Sequence, residues 1–144
     1  MKIKRKGSAS WQGGLRDGKG TISTESGALK TYPYGFASRI EGQRGSNPEE
    51  LIAAAHASCF VMALSMILGE AKLTAEQMDA TAEVTLEQLP DGFAITSSHL
   101  TLNAKIPGAD QATFEKLAAK AKAGCPVSKL LKAEITLDAK LVSE

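Results

Sequence analysis

The chain contains two cysteines, and their surroundings limit the chemistry that the sequence can support. Cys59 lies in the apolar part of a helix-like stretch, NPEELIAAAHASCF, where a lone cysteine usually packs as a small hydrophobe. Cys125 follows a helix-ending glycine and precedes Pro126, a residue that favours the first position of a new helix. A thiol at a helix N-terminus faces unpaired N–H groups that favour the thiolate, which is a recurrent setting for reactive cysteines.

Two cysteines are too few for a disulfide framework, and they lack the spacing of a structural zinc site, which needs four Cys or His ligands. They are also too far apart for a Cys-x-x-Cys redox motif, so any pairing must be made by the fold. We therefore expect no metal and no bound cofactor. A packing pair and a redox pair both stay open on these residues.

The whole chain has the length and composition of one ordinary soluble domain. Its 144 residues suffice for a single hydrophobic core, so residues 1–144 are predicted to form one domain. A formal net charge of +1 gives no excess of positive charge to attract nucleic acid or anionic lipid. The N-terminal segment MKIKRKGSASW is basic but lacks the apolar run of a secretory signal. We therefore expect a cytoplasmic protein with no nucleic-acid partner.

The order of the predicted elements indicates an α+β fold. Three strand-like segments come first, and the glycine-rich turn GGLRDGKG joins the first two as a hairpin. A long helix, a second hairpin, an amphipathic helix with Asp110 near its cap and a final strand follow. Because the strands cluster and do not alternate with helices, we expect mainly antiparallel sheets. The predicted strands cover residues 2–13, 20–26, 34–42, 79–89, 93–106 and 133–142, and the predicted helices cover residues 48–69 and 109–124.

The start of the long helix has the clearest local signals. Asn47 is a good N-cap, Pro48 suits the first helical position, and Glu50 stands where a capping-box carboxylate reaches back. The stretch 51–68 is free of charge and about as long as the shortest membrane-spanning helix. Its first half is mostly alanine with histidine and serine, so we interpret it as a helix buried inside a soluble protein and predict no membrane association.

Two motifs, NPEELIAAAHASCF and KAGCPVSKLLKAEITLD, together resemble the osmotically inducible protein C branch of the OsmC/Ohr family of thiol peroxidases. The segments GxxxW, GxGTxSTESGxL and PYGFxxRxEG and the order of elements extend the resemblance along nearly the whole chain. It implies an intertwined homodimer in which two mainly antiparallel sheets enclose long central helices. It also implies cysteine-based reduction of organic hydroperoxides and, less efficiently, of hydrogen peroxide.

The same resemblance implies roles for individual residues. Cys59 is the expected peroxidatic cysteine and Cys125 the resolving cysteine that forms an intrachain disulfide with it, with Glu49 and an arginine completing the site. We expect Arg39, from the FxxRxEG segment, to be that arginine. The organic hydroperoxide resistance branch takes it from the first glycine-rich hairpin, where this chain has Arg16. An external dithiol then has to reopen the disulfide, and the family points to lipoyl groups on partner proteins.

Peroxide reduction requires an ionised Cys59, because the thiolate attacks the O–O bond and becomes a sulfenic acid. Burial on an apolar helix raises a thiol pKa, so a cation has to compensate. A guanidinium about 4 Å away, at an effective dielectric near 20, contributes roughly 4 kcal/mol, or about three pKa units. An arginine fork can also hold a carboxylate such as Glu49. His56, one turn before Cys59, is interpreted as a hydrogen-bonded core residue rather than as a base.

Glu49 and Cys59 are ten residues apart on the predicted helix, or roughly 15 Å along its axis. One arginine does not bridge that distance, so we expect active sites at a subunit interface, with Glu49 coming from the partner chain. A break in the helix is the alternative. The competing function is a non-catalytic ligand-binding or structural module whose cysteines only pack. Four apolar residues either line a hydroperoxide pocket or pack in the core: Phe36, Phe60, Met62 and Met66.

Overall fold

A computed structural model describes residues 1–142 of the chain. In chain order its elements are strands β1 (Gly7–Gln12), β2 (Lys19–Thr24) and β3 (Tyr32–Tyr34), helices α1 (Phe36–Ile40) and α2 (Pro48–Glu70), strands β4 (Gln77–Leu89) and β5 (Gly92–Lys105), helices α3 (Gln111–Gly124) and α4 (Pro126–Leu130), and strand β6 (Glu134–Leu141). The predicted α+β class is confirmed. The elements fall into two compact units, Met1–Leu51 and Ile52–Glu144, and the prediction of a single domain stays a prediction.

The first unit contains an antiparallel sheet in the order β1-β2-β3. The predicted hairpin joins β1 to β2, and its tight turn depends on glycine: a Cβ added at Gly18 would lie 2.2 Å from the carbonyl oxygen of Gly14. The rings of Trp11 and Tyr34 pack across the sheet with centroids 5.6 Å apart.

The predicted strand over residues 34–42 is wrong, because the chain leaves the sheet at Tyr34 and turns into α1. The Ser38 hydroxyl accepts a hydrogen bond from the Gly35 N–H at 3.0 Å, which closes the first helical turn. The same hydroxyl lies 2.8 Å from the Ser46 carbonyl oxygen and donates to it, so it also ties the turn to the loop before α2. Arg39 therefore projects from a short helix and not from a strand.

The long helix α2 begins where its local signals predict. The Asn47 side-chain oxygen accepts from the Glu50 N–H at 2.8 Å, and Pro48 occupies the first helical position. The Glu50 carboxylate reaches back to the Ser46 hydroxyl at 3.0 Å. Hydrogen bonding at this end thus fixes the helix start next to the loop that follows α1.

The predicted burial of α2 holds for only one of its faces in the single chain. By length and composition α2 could cross a membrane, and 28% of its most apolar window is buried. Phe60 and Leu64 are fully buried, whereas Met62 and Met66 are 76% and 66% exposed. The face of the helix that carries these two methionines is thus apolar and exposed.

The second unit contains a sheet in the order β4-β5-β6. Strands β4 and β5 form the predicted antiparallel hairpin, whereas β6 returns parallel to β5 after α3 and α4. Helix α3 begins at the predicted cap, where Asp110 accepts from the Thr113 N–H at 2.7 Å. The core of this unit joins α2, α3, α4 and the sheet, and its fully buried members include Phe60, Leu64, Leu100, Leu102, Phe114 and Cys125.

Candidate active site

The fold brings the two cysteines of the second unit into contact. Cys59 is half-buried on α2, and the fully buried Cys125 lies between the end of α3 and the start of α4. Its N–H donates to the Ala121 carbonyl at 2.9 Å, and Pro126 begins α4 as the sequence predicts. Both cysteines are free thiols, Cys59 packs against the buried core that contains Cys125, and Cys125 is close enough to raise the pKa of the Cys59 thiol. Their pairing thus arises from tertiary structure, as a chain without a Cys-x-x-Cys motif requires.

The surroundings of Cys59 raise the pKa of its thiol. Burial raises the pKa of Cys59, and its hydrogen bond with Cys125 raises the pKa further by favouring the neutral thiol. The backbone N–H of Val127 donates to the Cys59 sulfur and acts in the opposite direction, lowering the pKa. The net pKa shift is upward. None of these contributions is a cation, and a cation brought close to the sulfur would favour the thiolate.

The start of α4, which the sequence places directly after Cys125, also affects Cys59. The backbone N–H of Val127, in the first turn of α4, lowers the pKa of the Cys59 thiol. No feature of the sequence could indicate this contact, because it depends on how α4 packs against α2.

The second candidate pair, Arg39 and Glu49, forms a bidentate ion pair in the first unit. Arg39 Nε and Nη2 donate to the two Glu49 carboxylate oxygens, each at 2.9 Å. The hydrogen bonds that Arg39 donates to Glu49 raise the pKa of Arg39, which keeps the guanidinium charged. The Arg39 side chain is 42% exposed and that of Glu49 only 12%, so the carboxylate is the more enclosed partner. Neither bond uses Nη1, which leaves that nitrogen for a further acceptor.

Polar contacts around α1 set the position of this ion pair. The Asn47 side-chain amide donates to the Ser38 carbonyl at 3.3 Å, linking the cap of α2 to α1. Ser38 and Ser46 complete the link through the hydrogen bonds described above. Sequence reasoning missed both serines, because serine in a loop carries no signal that separates capping from simple exposure.

The other predicted residues have separate settings. The Arg16 guanidinium lies over the Phe36 ring, 4.5 Å from its centroid. His56 is fully buried, with Nδ1 2.6 Å from the Ser98 hydroxyl and Nε2 2.7 Å from the Ser128 hydroxyl. Burial lowers the pKa of His56, so the imidazole stays neutral. Its interpretation as a hydrogen-bonded core residue is confirmed.

The helix between Glu49 and Cys59 is continuous, since α2 runs unbroken from Pro48 to Glu70. The alternative of a break in the helix is therefore wrong. At 1.5 Å per residue, the two residues are separated by roughly 15 Å along the axis. Within residues 1–142, no group of three or more His, Cys, Asp or Glu residues could hold a metal ion.

The family model described as OsmC-like protein matches residues 41–140, which is more than half of the chain. This chain belongs to the OsmC family. It is 57% identical over 143 residues to the Peroxiredoxin OsmC of Escherichia coli (strain K12), covering 99% of this chain and all of that protein.

Solved structures of the OsmC family have the same fold. The organic hydroperoxide resistance protein OhrB of Bacillus subtilis is 25% identical and matches 95% of this chain and 98% of its own, with a TM-score of 0.67. An organic hydroperoxide resistance protein OsmC from Legionella pneumophila is 29% identical and matches 99% of this chain and all of its own, with a TM-score of 0.68. These structures confirm the predicted OsmC/Ohr-like fold.

Proposed function

We propose that this chain is a thiol-dependent peroxidase that reduces organic hydroperoxides and, less efficiently, hydrogen peroxide. The observation that carries the proposal is the proximity of the Cys59 and Cys125 thiols in the core, in a chain related along its length to a peroxiredoxin. This relationship indicates a cysteine-based peroxidase. The names of the organic hydroperoxide resistance proteins with a similar fold support organic hydroperoxides as the substrates of this chain.

The proposed reaction uses the two cysteines in succession. The Cys59 thiolate attacks the terminal oxygen of the hydroperoxide, the O–O bond breaks, and the alkoxide leaves as the alcohol after taking up a proton. Cys59 is now a sulfenic acid. The Cys125 sulfur attacks it, an intrachain disulfide forms and water leaves, which protects Cys59 from further oxidation. An external dithiol then reduces the disulfide by thiol exchange, and lipoyl groups on partner proteins are our candidate for it.

The activating cation in this proposal is Arg39, positioned by Glu49 and supplied by a second copy of the chain. Two observations support this arrangement. The axial separation of roughly 15 Å along an unbroken α2 is too long for one arginine to serve both Glu49 and Cys59 of the same helix. The exposed apolar face of α2, with Met62 and Met66, also suits the interface of an intertwined homodimer. Two-fold symmetry would then generate two equivalent sites.

In this proposal a second copy of the chain, and not a lipid bilayer, covers the apolar face of α2. We therefore propose that the protein is cytoplasmic and not bound to a membrane. The net charge of +1 favours no nucleic-acid partner. In this proposal all the chemistry comes from the chain's own residues, the peroxide and the reductant, with no bound cofactor.

Thiol counting tests the proposal against a non-catalytic module with packing cysteines. Reduced protein receives one equivalent of tert-butyl hydroperoxide, and reactive thiols are counted in denaturant. We expect the loss of two thiols per chain without cross-linked dimers. The matched control is Cys59→Ser, which has Cys125 as its one remaining thiol. We expect Cys125 to stay unreacted while the wild-type protein loses its thiols, because a serine alkoxide is inaccessible near neutral pH and no sulfenic acid forms. Two unreacted thiols in the wild-type protein would favour the non-catalytic module.

A further inference from the structure

His56 is a buried titratable group that the proposed reaction does not use. Each of its ring nitrogens meets a serine hydroxyl: Ser98 at 2.6 Å and Ser128 at 2.7 Å. All three residues are buried. Because a neutral imidazole has one N–H donor and one acceptor nitrogen, it donates to one serine and accepts from the other. The histidine therefore joins α2 to β5 on one side and to α4 on the other.

Spacing along the two helices relates this bridge to the cysteines. His56 and Cys59 are three residues apart on α2, and Cys125 and Ser128 are three residues apart at the start of α4. His56 lies 2.7 Å from the Ser128 hydroxyl, and Cys59 packs close to Cys125 in the core. The two segments thus run antiparallel and touch at two successive points, each about one helical turn from the other. The hydrogen bond between His56 and Ser128 thus fixes the position of α4 along α2 that also brings Cys125 next to Cys59.

The short helix α4 needs such a contact. It has five residues, too few to be stable without packing, so its position depends on what holds it. Ser98 lies on β5, the central strand of its sheet, and thereby anchors the ring on the side away from α4. A rigid imidazole between a central strand and Ser128 restrains the sliding of α4 along α2.

We propose that His56 is a positioning residue for the resolving step: through Ser128 it holds α4 so that Cys125 can reach the Cys59 sulfenic acid. This inference rests on the proposed function. In the step, the S–O bond of Cys59 breaks and an S–S bond forms, so Cys59 is reduced and Cys125 oxidised. The departing hydroxide takes up the Cys125 proton and leaves as water. A disulfide requires Cβ atoms roughly 3.5–4.5 Å apart, which makes this step sensitive to a small shift of α4.

Two serine variants provide a matched test. Ser128→Ala cuts the bridge to α4, whereas Ser98→Ala removes an equally local hydroxyl from the same imidazole but keeps its contact with Ser128. After one equivalent of tert-butyl hydroperoxide, dimedone trapping follows the sulfenic acid, and mass spectrometry follows disulfide and sulfinic acid. We expect Ser128→Ala to slow disulfide formation about ten- to a hundredfold, as for a reacting group misplaced by about 1 Å, so that the sulfenic acid persists and a second equivalent of peroxide converts it to sulfinic acid. Ser98→Ala should resolve faster than Ser128→Ala.

Two histidine variants decide the question if Ser128→Ala fails to fold by circular dichroism. A glutamine amide nitrogen overlays Nε2, so His56→Gln keeps the contact with Ser128; an asparagine amide nitrogen overlays Nδ1, so His56→Asn keeps only Ser98. We expect His56→Gln to resolve faster than His56→Asn. Equal resolution in each matched pair, whether fast or slow, would overturn the inference. A wild-type protein that forms no disulfide between Cys59 and Cys125 would instead refute the proposed function.

Discussion

Mixing Glu49→Ala with Cys59→Ser should restore peroxidase activity, provided that each variant alone is inactive. In the first variant Arg39 loses the carboxylate that accepts two of its hydrogen bonds at 2.9 Å, and in the second the nucleophile is gone. Roughly 15 Å of unbroken helix separates Glu49 from Cys59, so we assign them to different sites of one homodimer. A heterodimer of the two variants then contains one site with both residues intact and one site that lacks both.

The size of the expected recovery follows from two-fold symmetry. Random subunit exchange in an equimolar mixture makes half of the dimers heterodimeric, and each has one working site of two, which gives about a quarter of wild-type activity per chain. The assay is peroxide consumption with dithiothreitol as reductant, after native mass spectrometry has verified exchange. A sharp control is the mixture of Cys59→Ser with Cys125→Ser. Because these cysteines meet within one chain, that mixture should regain no sustained turnover.

Failure of the first mixture despite verified exchange would place Glu49 and Cys59 in the same chain's site, or remove Glu49 from the mechanism. A fully active monomer in sedimentation equilibrium would refute the shared site altogether.

Three further predictions concern single residues. Cys125→Ser should consume about one equivalent of peroxide and then stall or over-oxidise, because no resolving thiol remains; sustained turnover with Cys59 unmodified in mass spectra would contradict this. Arg39→Ala should raise the Cys59 pKa by up to about three units and slow its alkylation at neutral pH. An unchanged rate-versus-pH profile, with the shift seen in Arg16→Ala instead, would transfer the role to Arg16. Burial lowers the pKa of His56, so the unfolded chain binds the proton more readily than the folded chain does. The stability that the neutral imidazole contributes is therefore present above its ordinary pKa of 6.5 and is lost as pH falls through the folded value. Urea unfolding should therefore show a steeper loss between pH 7 and 5 in wild type than in His56→Gln, and parallel losses would rule this out.

Local signals predicted those elements whose ends are set by nearby side chains. Asn47 and Pro48 located the start of α2, and Asp110 located the start of α3, because each cap acts within three residues of itself. The segment 34–42 was predicted wrongly since Ser38 closes the turn with help from Ser46, eight residues away. The parallel direction of β6 was equally invisible, because side-chain alternation is the same for both strand directions.

The prediction of the candidate site depended more on the resemblance to a known family than on residue patterns. Composition and spacing left Cys59 and Cys125 as either a packing pair or a redox pair, and only the fold brings them together. The ion pair between Arg39 and Glu49 likewise joins two elements, and its geometry depends on a loop conformation that no periodicity encodes. The contact of the Val127 N–H with Cys59 had no sequence signal at all, since any residue except proline offers a backbone N–H.

Burial and activation of Cys59 make opposite demands, and the proposed dimer would meet both at once. An apolar setting suits an alkyl hydroperoxide, but it raises the thiol pKa, as it already does in the single chain. A second chain packed on the exposed face of α2 would desolvate Cys59 further and raise its pKa again. A positive charge on that second chain would offset this effect. Arg39, kept protonated by Glu49, is a charge that the second chain could bring. Low dielectric would then strengthen the attraction between guanidinium and thiolate in the place where desolvation opposes ionisation, so assembly and activation would be the same event.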